Sequence, residues 1–191
     1  MQIVDKILKH TESSIMSKVI LYIATSSDGF IADSEGGVDW LPHPETIEDL
    51  EKVGYNQLME RIDTIVMGNR SYQQIITFGD WGWPNMQTYV FTSKLQSSEL
   101  AYIEFTNDHP EVFMKKIKES QKNKDIWLLG GAQLVKSFAR DNLIDEIILT
   151  ITSIRLEQGI PLDLPLDSFY LSTEKVCMDG IVQKVYLKKV L

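Results

Sequence analysis

Apolar positions along the chain fall into two alternating rhythms. "KVILYIAT" (18–25), "DTIVMG" (63–68), "TYVFTS" (88–93), "AYIEFT" (101–106) and "DIWLLG" (125–130) are short runs rich in β-branched and aromatic residues. Each is bounded by Gly, Ser, Asp or Asn, so each predicts a buried strand. Between them the period lengthens. Ile47, Leu50, Val53, Gly54, Leu58 and Ile62 recur near 3.6 residues and predict a helix from Glu45 to about Arg61. "RSYQQIITF" predicts a short helix, and "GDWGWPN" a surface loop. "NDHPEVFMKKIKESQKN" predicts a helix with Asp108 and Glu111 as a capping-box pair, Pro110 in its first turn, and Val112, Phe113 and Ile117 as its inner stripe. Leu134, Val135 and Phe138 mark the buried face of a helix that starts right after Gly131. In "IDEIILTITSI" (144–154), Ile147, Leu149 and Ile151 alternate with Ile148, Thr150 and Thr152, a strand covered on both faces.

Strands alternating with helices predict an α/β fold with a mainly parallel sheet and helices on both faces. The ending differs. "SFYLSTEKVCMDGIVQKVYLKKV" has two extended runs around Asp179-Gly180, a dipeptide suited to a two-residue hairpin turn, so an antiparallel hairpin closes the sheet. No repeat, low-complexity tract or linker divides the chain, and residues 16–191 are expected to form a single domain. Residues 1–15 stand apart as an N-terminal extension. Ile3, Val4, Ile7 and Leu8 have helical spacing, so this segment is either a short docking helix or an appendage without structure.

Composition narrows the function classes. Of the 191 residues, 43% are hydrophobic and 24% charged, as in ordinary globular proteins, and the net charge of −8 leaves no basic stripe for nucleic acid. Cys177 is the only cysteine, which rules out an intrachain disulfide and a thiolate zinc site; in its β-rich run it reads as a small buried hydrophobe. His10, His43 and His109 are scattered, so no metal is expected. No apolar run reaches the roughly 18 residues of a membrane span, and the N-terminus lacks a signal-peptide core. The expectation is a cytoplasmic protein with a small-molecule substrate.

The chemistry concentrates where strands end. Gly130 and Gly131 separate a buried strand from a helix. Such a pair serves either a tight turn or a ligand that must come close to the backbone at a helix N-terminus. "VMGNRSY" (66–72) repeats the strand-glycine-helix pattern, with Asn69, Arg70 and Ser71 as donors, and "VFTSK" (90–94) adds Thr92, Ser93 and Lys94. Three parallel strands ending this way suit one elongated anion, and a dinucleotide has that shape. Cations without an evident ribose-binding acid favour NADPH over NADH. The loop "SSDGFIADSEGGVDWL", with Asp28, Trp40 and Leu41, is a candidate flap and pocket wall.

The order "SSDGFIA…GGVDWL", "VMGNRSY", "VFTS", "LLGGAQLVKSF…LIDEIILT", "GIPL" resembles the dihydrofolate reductase-like superfamily, and most of all the reductase domain of riboflavin biosynthesis and its stand-alone relatives. The likeness runs from about residue 18 to the C-terminus. It implies a three-layer fold with a central mixed, mainly parallel eight-stranded sheet, NADPH as cofactor, and a homodimer. Gly130, Gly131, Ala132 and Gln133 would hold the pyrophosphate, and Gly68, Asn69, Arg70 and Ser71 phosphates nearer the adenosine. Thr92, Ser93 and Lys94 would flank the adenine ribose and its 2′-phosphate, and Ala24, Ile31 and Ala32 would frame the nicotinamide. The implied catalytic acid is Glu45, with Glu48 and Asp49 as rivals.

There are two departures. Asn69 follows the strand-ending glycine where the family usually has Arg, and "RLEQGIPLD" carries Glu157 and Asp163 where that loop is often glycine-rich and ends in Leu-Phe. The expected activity is NADPH-dependent reduction of a small heterocycle or ribosylaminopyrimidine, of the 5-amino-6-(5-phosphoribosylamino)uracil reductase type. Dihydrofolate reduction is the alternative within this class. A non-catalytic nucleotide-binding protein, or a dimeric structural module docking through its N-terminal helix, are alternatives outside it.

Overall fold

The computed structural model describes residues 17–42, 46–94, 96–120, 124–178 and 180–190. The expectations for residues 1–15, for His43 and for Glu45 lie outside them. β1 (Val19–Thr25) and the short β2 (Phe30–Ala32) precede α1 (Ile47–Lys52) and α2 (Tyr55–Arg61). β3 (Ile62–Gly68), α3 (Asn69–Ile75), β4 (Gln87–Phe91), β5 (Ile103–Thr106), α4 (Pro110–Glu119), β6 (Asp125–Gly130), α5 (Ala132–Arg140) and β7 (Glu146–Ile151) follow. β8 (Ile160–Pro161), β9 (Phe169–Val176) and β10 (Val182–Lys188) complete the chain.

Eight strands form one sheet in the order β5-β4-β3-β6-β1-β7-β10-β9. The six from β5 to β7 are parallel. β10 joins antiparallel to β7, and β9 folds back on β10 as the edge. Both faces of the central strands are covered, as their continuous apolar runs require. On one face Leu21, Val66, Leu128, Ile147 and Leu149 pack with Phe113, Val135 and Phe138 of α4 and α5. On the other, Ile20, Ile65, Met67, Trp127 and Ile148 pack with Leu58 of α2. A separate two-stranded ribbon pairs β2 with β8.

Four local expectations are corrected. The helix expected from Glu45 to Arg61 is two helices. Thr46 caps α1 in a capping box with Asp49, and Gly54, at φ +73°, turns the chain before α2. Periodicity continued through Val53 and Gly54, but a left-handed glycine is a helix terminator. Asp108 and Glu111 form no capping box: the N-cap of α4 is His109, and the Asp108 carboxylate instead takes the Lys116 ammonium at 2.7 Å. Val112 is exposed, and Met114 takes its expected place beside Phe113 and Ile117. Cys177 is half-buried in the β9–β10 turn rather than within a strand.

Candidate active site

Gly130 closes β6 at φ +126°, a backbone region that side chains rarely enter, and the Gly130–Gly131 peptide is cis. Gly131 differs. It caps α5 at φ −80°, which any residue can adopt, so here space matters more than conformation. A Cβ on Gly131 would lie 3.4 Å from the Ser71 hydroxyl, and one on Gly68 would lie 3.6 Å from the Gly131 nitrogen. The β3–α3 and β6–α5 junctions therefore abut with bare backbone between them. The amides of Leu134 and Val135 return to the Gly131 carbonyl. Those of Ala132 and Gln133, in the first turn of α5, have no intrahelical acceptor.

The cations stand beside this cradle. Arg70 and Lys94 are exposed, and neither is ion-paired with another described residue. Thr92 accepts the Lys94 amide on its hydroxyl at 3.1 Å, shaping the turn after β4, with Ser93 exposed between them. Asn69 leads α3, and its Oδ1 is buried without a hydrogen-bond partner. Because β4, β3, β6 and β1 are neighbours, these groups line up along the carboxyl edge of the sheet over about 14 Å, at ~4.8 Å per strand. Ligands of open parallel sheets bind at such an edge.

At the β1 end of the row lie Ala24 and, on β2, Ile31 and Ala32. The loop after β1 is stitched to the loop after β7. Asp28 takes the Ser26 hydroxyl at 2.7 Å and the amides of Leu156 and Glu157 at 3.2 and 2.8 Å. The Ser27 amide donates to the Ile154 carbonyl, and a Cβ on Gly159 would collide with the Ala32 carbonyl. The Asp28 carboxylate, expected in the substrate pocket, is thus engaged as a loop anchor. Gln74 of α3 donates to the Gly36 carbonyl at 3.0 Å and ties the flap across the row. Within the flap, Leu41 closes a turn on Val38, and half-buried Trp40 has an indole nitrogen that is buried and unpartnered. Of the rivals to Glu45, Asp49 serves the capping box and exposed Glu48 pairs with Lys52 at 3.2 Å.

Sequence reasoning missed a group on the α1–α2 face. Tyr22 donates to the Val53 carbonyl at 2.9 Å, and buried Gln183 donates to the same oxygen at 2.7 Å and to the Thr150 hydroxyl at 3.0 Å. That oxygen is free to accept both because the helix breaks at Gly54. Burial first, and the neighbouring Tyr55 and Cys177 next, push the Tyr22 phenol well above its usual range, so it stays neutral. The signal in the sequence was a polar residue in the inward phase of an apolar strand: Thr150 in "IILTI" and Gln183 in "IVQKVYL". Among the described residues, no group of three His, Cys, Asp or Glu could hold a metal ion, and no helix is long and apolar enough to cross a membrane.

Sheet order and covered faces define a dihydrofolate reductase-like α/β fold. The chain belongs to the RibD C-terminal domain family, whose model matches residues 17–158. It is 34% identical over 146 residues to the uncharacterized protein YwjB of Bacillus subtilis (strain 168), covering 76% of this chain and 82% of that one. It is 30% identical over 192 residues to YyaP of the same organism, covering 88% and 94%. A putative riboflavin biosynthesis protein from Shewanella sp. PV-4 superposes with a TM-score of 0.76 at 27% identity, over 91% of this chain and 99% of that one. Dihydrofolate reductase from Enterococcus faecalis, complexed with NADP(H), shares the fold at a TM-score of 0.66 and 16% identity, over 92% and 98%.

Proposed function

We propose that the protein is an NADPH-dependent oxidoreductase acting on a small heterocyclic or ribosylaminopyrimidine-type substrate, related to the reductase step of riboflavin biosynthesis. The observation that carries this reading is the abutting pair of glycine junctions, flanked by two cations that pair with no other described residue. The residues fit the cofactor. Pyrophosphate needs close backbone approach and free amides, which Gly130, Gly131, Ala132 and Gln133 provide. Arg70, Ser71, Thr92, Ser93 and Lys94 supply charge and hydroxyls for further phosphate groups. The orphaned Asn69 acceptor suits a ribose hydroxyl.

A bound nicotinamide would supply a hydride to an electrophilic carbon of the substrate. Ala24, Ile31 and Ala32 would frame it with small or apolar groups, and the stitched loops would keep water from that end. Glu45 is the proposed proton donor, tested by Glu45→Gln. We also propose a homodimer, since among the described residues no strand pairs with the outer edge of β9, where Tyr170, Leu171 and Val176 are exposed.

The decisive experiment is titration of the purified protein with NADPH and NADH, following tryptophan quenching and energy transfer to the nicotinamide. Saturable NADPH binding that Gly131→Asp weakens at least about tenfold is expected. Binding of neither nucleotide overturns the reading.

A further inference from the structure

The flap that follows β2 is held unequally along its length. Its base is fixed. β2 pairs with β8, the Leu162 amide donates to the Gly29 carbonyl at 3.1 Å, and Asp28 takes the Leu156 and Glu157 amides. Its tip is a turn closed on itself. The Asp33 carboxylate accepts the Glu35 and Gly37 amides at 2.9 and 2.8 Å, and the Asp33 amide donates to the Gly37 carbonyl at 3.0 Å. A Cβ on Gly37 would lie 2.5 Å from that carboxylate, so the turn closes only around glycine. These bonds make residues 33–37 one stiff unit.

A single bond joins this unit to the helix across from it. The Gln74 side-chain amide donates to the Gly36 carbonyl at 3.0 Å. Among the described residues, 34–41 make no other hydrogen bond outside the segment 33–41. Half-buried Gln74 has a firm footing. Tyr72 and Ile75 of α3 pack into the cluster on the α1–α2 face, and the Tyr72 ring meets Trp81 at 5.9 Å. The Trp83 indole donates to the Tyr55 hydroxyl at 2.8 Å, which ties the loop after α3 to α2.

The bond spans the candidate cofactor row. The flap leaves from the β1 end, Gln74 stands on the helix after β3, and β6 lies between those strands in the sheet. The flap is thus carried about 10 Å across the end of β6, at ~4.8 Å per strand. Gln74 also lies one turn beyond Arg70 and Ser71, on the same side of α3. A dinucleotide set along the row, with its pyrophosphate at Gly131 and its nicotinamide at Ala24, Ile31 and Ala32, would have its nicotinamide half within that span.

We propose that Gln74 is a positioning residue that latches the flap over the nicotinamide half of a bound dinucleotide, and so sets the rate at which the cofactor leaves. This rests on the reductase reading and deepens it. Gln74 acts through the flap rather than on the reacting atoms. One neutral hydrogen bond shifts an equilibrium by about two- to tenfold. That is enough to bias the flap shut and little enough to let it open at each turnover.

The test uses the full chain loaded with NADPH and chased with excess NADP+ in a stopped-flow mixer, following the loss of energy transfer from tryptophan. Gln74→Met keeps the length and neutrality of the side chain and removes the donor. It should speed NADPH dissociation about two- to tenfold. Adenosine 2′,5′-bisphosphate has no nicotinamide, and calorimetry should give it the same affinity for wild type and variant. An unchanged NADPH dissociation rate overturns the inference. Equal weakening of the bisphosphate overturns it too, because Gln74 would then only prop α3. Failure of NADPH to bind the wild type overturns the reductase reading instead.

Discussion

The side-chain amide of Gln183 reaches the carbonyl oxygen of Val53 at 2.7 Å, across 130 residues of sequence. It joins the antiparallel part of the sheet to the break between α1 and α2, and the Tyr22 hydroxyl meets the same oxygen from the parallel part. Helix position over this face of the sheet is thus set by two strands at once.

Gln183→Leu removes two buried hydrogen bonds and leaves the Thr150 hydroxyl without that partner. The expected cost is about 1–3 kcal/mol. In a chain of this size that is a fall in Tm of roughly 2–10 °C by calorimetry. An unchanged Tm would show that the bracket adds nothing to stability.

The two glycines of the pair should separate on substitution. Gly130→Ala forces a side chain to φ +126° and should cost about 1–3 kcal/mol in denaturant unfolding. Gly131→Ala keeps an allowed backbone and should cost under about 1 kcal/mol, since its Cβ meets only the Ser71 hydroxyl at 3.4 Å. Nucleotide titration should be weakened by Gly131→Ala all the same, because the added methyl occupies the cradle. Equal stability losses at both positions would refute this division of roles.

Arg61 bonds both oxygens of Glu146, whose side chain is 8% exposed, and also Asp125. Arg61→Leu strands the buried carboxylate. Allowing for the partly exposed guanidinium, the expected loss is about 2 kcal/mol. Adding Glu146→Leu should recover part of it, as a double-mutant cycle would report. Additive losses would mean that the pair is not coupled.

The loop stitch should depend on pH. The Ser26 hydroxyl, and after it the Leu156 and Glu157 amides, hold the Asp28 carboxyl below its ordinary range despite some desolvation. A depressed folded-state value gives stability that is present above the unfolded value, about 3.9, and lost as pH falls through the folded value. Hydrogen exchange at Leu156 and Glu157, corrected for intrinsic rate, should be slow near neutrality and speed up below about pH 4. In Asp28→Asn that acid-dependent step should vanish. Protection that persists in strong acid would remove Asp28 from the account.

The homodimer predicts that light scattering after gel filtration gives twice the chain mass. Leu171→Lys on the open strand should halve that mass while circular dichroism stays the same, since charge on an edge strand blocks pairing. A wild-type monomer would reject the proposal outright.

How much of this was legible in the sequence depended on range. Strands β1, β3, β4 and β6 could be read because burial on both faces demands continuous β-rich apolar runs, and α5 because Leu134, Val135 and Phe138 keep its period. The glycine junctions could be read because few residues tolerate such positions. The break at Gly54 was hidden, since the apolar period ran on while one backbone angle reversed. The α4 cap was misread because Lys116, two turns further on, outcompeted the local capping bond for Asp108.

By itself the sequence determined the layers of the fold, the hairpin and the kind of group at each strand end. Those follow from local periodicity and backbone chemistry. Only the tertiary structure decided which strands are neighbours, and so that residues 68–71, 92–94 and 130–133 form one row. It also decided that Asp28 serves a loop, that Tyr22, Thr150 and Gln183 converge below Val53, and that Trp83 closes on Tyr55. Each is a contact between residues far apart in the chain, fixed by sheet register and packing, on which local sequence carries no information.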